Sequence, residues 1–97
     1  MITDIDFRKE IEESAGAVLP YLAPQEVDRI AAVLASGTEK ALAKIQSQPG
    51  ASVEQKASAI LAAATEELQI LSRDMGVRDL SRVIDLGSFV QRIISKI

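Results

Sequence analysis

Beyond Val53, the residues Ala57, Leu61, Ala64, Leu68, Leu71 and Met75 recur at spacings of four, three, four, three and four. That rhythm fits one face of an α-helix and no other regular structure. At about 100° per residue the stripe, with Ile60 beside it, is roughly 100° wide. Ile70 is the one large apolar residue in the segment that lies well off it. A helix of this kind needs a single apolar seam against other helices. Ser52 with Gln55 three residues on makes a capping-box pattern, and Gly76 stands where a C-terminal cap is wanted. A helix is therefore expected over 52–75.

The same logic divides the rest of the chain. Phe7, Ile11, Ala15 and Val18 form one stripe of a helix that starts near Thr3 or Asp4. Pro20 removes a backbone donor and ends that helix by Leu19. Pro24 suits a first helical position, and Val27, Ile30, Leu34, Ala41, Leu42 and Ile45 share a face as far as Gln48. Ser36-Gly37-Thr38 interrupts this second helix, marking a bend or a close approach of another helix; the helix is expected to run through it. Pro49-Gly50 is the clearest break in the chain. A last helix is expected over 79–96.

This last segment differs from the others. Leu80, Val83, Ile84, Leu86, Phe89, Val90, Ile93, Ile94 and Ile97 spread over about 220° of a continuous helix, about twice what one buried face needs. Either the helix is surrounded by others, or part of it waits for a partner.

Composition supports helices packed on helices. The chain has 97 residues, enough for one domain over 1–97 with a modest core. Phe7, Tyr21 and Phe89 are its only aromatics, so the core must be aliphatic, which suits close helix packing better than a sandwich or barrel. The expected fold is all-α, a small bundle of about four helices near 4–19, 24–48, 52–75 and 79–96.

The same composition narrows the function. There is no histidine, cysteine or tryptophan. Without histidine or cysteine the usual general bases, thiol nucleophiles and transition-metal ligands are missing. Carboxylate pairs such as Glu10/Glu13 and Glu66/Glu67 fall among polar neighbours, where no pattern supplies the burial or charge that tunes a catalytic group. The five glycines are scattered, so no phosphate-cradling loop is formed, and no EF-hand loop can be placed. The expectation is a non-enzyme with no catalytic, cofactor or metal site.

Residues 71–84 superficially resemble a helix-turn-helix, with Arg78 and Arg82 near the start of a second helix. Counted from Gly76, however, the apolar residues fall at +4, +7 and +8, and Arg82 and Asp85 occupy the positions near +6 and +9 where that motif wants apolar side chains. An overall charge of −3 also weakens attraction to nucleic acid. No window approaches the roughly 18 apolar residues of a membrane span. Acid stands near Met1 where a signal peptide would carry base, so a cytoplasmic protein of bacterial or phage type is expected.

Charge is uneven. Residues 1–29 carry three bases against seven acids, whereas residues 73–97 carry five bases against three acids. An acidic head and a basic tail can pair within a chain or between two chains.

Taken together, the expected function is a protein–protein interaction module that associates with itself as a homodimer: a small regulator, adaptor, secretion-type chaperone or assembly subunit. The expected interface is Leu86, Phe89, Val90, Ile93 and Ile97, the flank of the last helix farthest from its polar strip. One alternative is a DNA-binding transcriptional regulator using residues 71–92. Another is a filament-forming helical hairpin turned at Pro49-Gly50.

Overall fold

The protein is seen as a computed structural model that describes residues 5–15, 20–46 and 49–96. Five helices follow in order: α1 (Phe7–Ala15), α2 (Pro24–Gln46), α3 (Val53–Met75), α4 (Leu80–Val83) and α5 (Leu86–Ile94). No strand occurs among the described residues. The fold is a small all-α bundle, as the periodicity requires.

The long pair α2 and α3 is the frame. Each has 23 residues, about 34 Å at 1.5 Å per residue, which accounts for a longest dimension of 41 Å. Pro49-Gly50 turns the chain between them, with Gly50 at φ 81°. Ser52 caps α3 through the reciprocal pair expected: its Oγ accepts from Gln55 N–H at 3.1 Å, and its own N–H donates to Gln55 Oε1 at 2.8 Å. Gly76 closes α3 in the left-handed region at φ 69°.

α2 passes unbroken through Ser36-Gly37-Thr38. Gly37 marks a close approach, not a bend. A Cβ there would meet Glu67 Cγ at 3.2 Å and the Ala63 carbonyl at 3.5 Å. Buried Thr38 gives its hydroxyl proton to the Leu34 carbonyl at 2.8 Å, so its polarity is satisfied inside its own helix.

Two expectations need correction. The first helix opens at Phe7, because Asp6 provides the cap: its Oδ1 accepts from Lys9 N–H at 3.2 Å. Its expected extension to Leu19 lies outside the described residues. The last helix is not continuous. Ile84 is extended (φ −92°, ψ 134°), and Asp85 then caps a new helix by accepting from Ser88 N–H at 3.0 Å. The break resets the helical phase. Within α5 the buried Leu86, Phe89, Val90 and Ile93 occupy only about 100°. The 220° arc arises from winding two helices as one.

One core cluster draws on all five segments, from Phe7 and Ile11 through Ile30, Leu34, Ala64 and Leu68 to Leu80, Phe89 and Ile93. Within it Phe7 meets Phe89, ring centroids 6.2 Å apart and tilted at 45°.

Candidate interaction surfaces

The expected interface on the last helix is core. Phe89 and Ile93 are 0% exposed, and Leu86 and Val90 are buried with them. Ile97 lies outside the described residues. The four described side chains already pack inside a single chain, so they offer a partner nothing while α5 stays docked.

The apolar surface that does remain exposed lies elsewhere. α1 and α5 have nine residues each, about 13 Å against the 34 Å of the helices they cover. Arg8 pairs with Asp28, which holds α1 at the first turns of α2. Leu80 N–H donates to Ser72 Oγ at 2.9 Å, which holds α4 at the last turns of α3. The cover therefore sits over the half of the hairpin remote from Pro49-Gly50. Exposure along the α3 stripe follows: Ala64, Leu68 and Leu71 are buried, whereas Leu61 is 41% and Val53 61% exposed. Leu42 and Ala57, both half-buried, pack against the core on the same half. The other exposed large apolar residues, Tyr21, Ile70 and Val77, lie away from this stripe.

A second cluster joins the two ends of the chain. Glu10 is 1% exposed and receives the Arg92 guanidinium and, at 2.9 Å, the Lys96 ammonium. Arg92 also pairs with Glu13. Burial disfavours the Glu10 charge, but hydrogen bonds from Lys96 and Arg92, with both their charges, outweigh it and hold the carboxyl below its usual range. The acidic head and basic tail thus pair within one chain. Asp85 N–H adds a backbone bond to the Ser14 carbonyl at 3.2 Å. Ser14 Oγ, buried beside it, has no hydrogen-bond partner among the described residues.

The junction that resembled a helix-turn-helix is built otherwise. α4 is a single turn of four residues, too short to lie in a groove and present successive side chains to bases. Asp79 caps it, accepting from Ser81 N–H at 3.0 Å and Ser81 Oγ at 2.6 Å. These bonds, the Ser81 hydroxyl foremost, draw the Asp79 carboxyl below its ordinary pKa. An open depression of about 230 Å³ lies here, lined by Gln69, Ser72, Arg73, Val77 and Asp79. Ser72 and Asp79, two of its polar residues, are already engaged in holding helix ends.

No helix among the described residues is long and apolar enough to cross a membrane. Comparison with protein families, curated proteins and solved structures gives no match.

Proposed function

We propose that this chain is a non-enzymatic interaction module that associates with a second copy of itself through the turn half of the α2–α3 hairpin. The observation that carries the reading is the exposure of Val53 and Leu61 on a stripe whose other half is core. Two copies related by a two-fold axis would lay these stripes against one another and complete a local four-helix arrangement. Exposed Glu39, Lys44 and Glu54 give the rim both signs of charge, which suits a self-complementary contact. A face about 20 Å long belongs at the small end of interfaces, so the affinity should be modest, in the micromolar range.

Light scattering over a concentration series tests this. The wild type should pass from monomer to dimer, and Leu61→Asp should stay monomeric with unchanged helicity, since the side chain it replaces is exposed. A wild type that remains monomeric throughout removes the reading. No observation favours the DNA-binding alternative, because α4 is too short to serve as a recognition helix.

A further inference from the structure

The cover on the hairpin ends in a step. α1 and α5 reach about 13 Å along helices of about 34 Å, which leaves roughly 20 Å toward Pro49-Gly50 one layer thinner. The step is one helix layer high, about 8–10 Å. Ile45 and Ile60 are already buried on this half. What stays open is a short strip of α3, with Val53 and Leu61 exposed and Ala57 half-buried between them.

That strip has a symmetry of its own. Val53 and Leu61 stand four residues to either side of Ala57, about one helical turn each way. Turned end for end about Ala57 it reproduces itself as large, small, large. A second α3 running the opposite way sets its Leu61 against Val53 and its Val53 against Leu61. The small Ala57 at the centre lets the two helices approach closely.

We infer, on the basis of the hairpin association proposed above, that the second copy lies antiparallel with the two-fold axis passing by Ala57, so that the thin end of each hairpin fills the step of the other. The cover supplies the steric reason. In a parallel pair the two covers would meet and hold the hairpins roughly 20 Å apart, beyond the 8–10 Å at which helices pack. In the antiparallel pair each cover stands beyond the partner's thin end, and a thin end about 20 Å long enters a step of the same length. This order also keeps the two α3 starts, each the positive end of a helix dipole, about 12 Å apart along the axis.

The chain has no cysteine, so thiols can be placed one at a time. Val53→Cys and Leu61→Cys are made in separate chains, mixed and oxidised. Antiparallel packing brings residue 53 of one chain against residue 61 of the other. Like positions then sit about 12 Å apart, too far for a disulfide. The mixture should therefore give the mixed disulfide, and either variant alone should stay unlinked. Like-with-like crosslinks in a species that light scattering shows to be a dimer overturn the antiparallel order and leave the hairpin association standing. A wild type that stays monomeric at every concentration removes both. Where the thiols themselves loosen the contact, the wild type decides. Mixed isotope-labelled and unlabelled chains should show intermolecular NOEs from Val53 methyls to Leu61 methyls, and NOEs between like positions instead would overturn the antiparallel order.

Discussion

At the scale of single residues, burial separates side chains that the sequence leaves alike. Glu10 and Glu13 are both helix carboxylates, yet Glu10 is enclosed with two cations and Glu13 only touches one of them at the surface. Because its folded pKa lies below the unfolded value of about 4.5, the stability Glu10 contributes is fully present above that pH. It is lost as pH falls through the lower, folded pKa. Melting temperatures from pH 7 down to pH 3 should therefore fall more steeply for the wild type than for Glu10→Gln. At neutral pH the Gln variant should lose about 1–3 kcal/mol, held down because Arg92 and Lys96 can turn to water. Ser14 predicts the opposite sign. Ser14→Ala removes a buried hydroxyl with no partner among the described residues and improves helix propensity, so it should raise stability by up to about 1 kcal/mol in denaturant titration.

At the scale of elements, α3 was legible to the residue because its signals agree: a strict stripe, a capping box and a terminal glycine. α2 was legible as far as its described end from Pro24 at its start and one apolar face, although Ser36-Gly37-Thr38 interrupts the pattern. The α4–α5 break was not seen, although Asp79 and Asp85 each precede a helix as a cap. Apolar residues on both sides masked it, since Ile84 keeps the rhythm of a continuous helix while its backbone is extended. For that reason Leu86, Phe89, Val90 and Ile93, chosen from the 220° arc, are buried within the monomer, and Ile97 lies outside the described residues. The exposed residues Val53 and Leu61 lay on the best-defined stripe, where periodicity reports only which face is apolar. How far along that face the covering helices reach is a tertiary property. Asp85→Ala should cost about 0.5–2 kcal/mol through loss of the α5 cap, measured by thermal melting. At the α2–α3 contact, Gly37→Ala should be stabilising by up to about 1 kcal/mol, since the partly exposed Glu67 side chain can move aside. Gly37→Leu has no such freedom against the Ala63 backbone and should destabilise.

At the scale of the whole molecule, three short helices clamp one end of a long hairpin, and near the other end Val53 and Leu61 stay exposed to water. The central claim is this uneven cover, with Val53 and Leu61 left exposed near the turn beside buried Ile45 and Ile60. It places Phe89 and Ile93 inside the monomer and Val53 and Leu61 where a second copy can reach them. The most direct measurement is the methyl NMR spectrum of the wild-type chain, followed on dilution from millimolar to micromolar concentration. The Val53 and Leu61 methyl resonances should shift as association is lost, while those of Val90 and Ile93 stay fixed. Movement of the Val90 and Ile93 resonances with Val53 and Leu61 unchanged would contradict it and return the interface to α5.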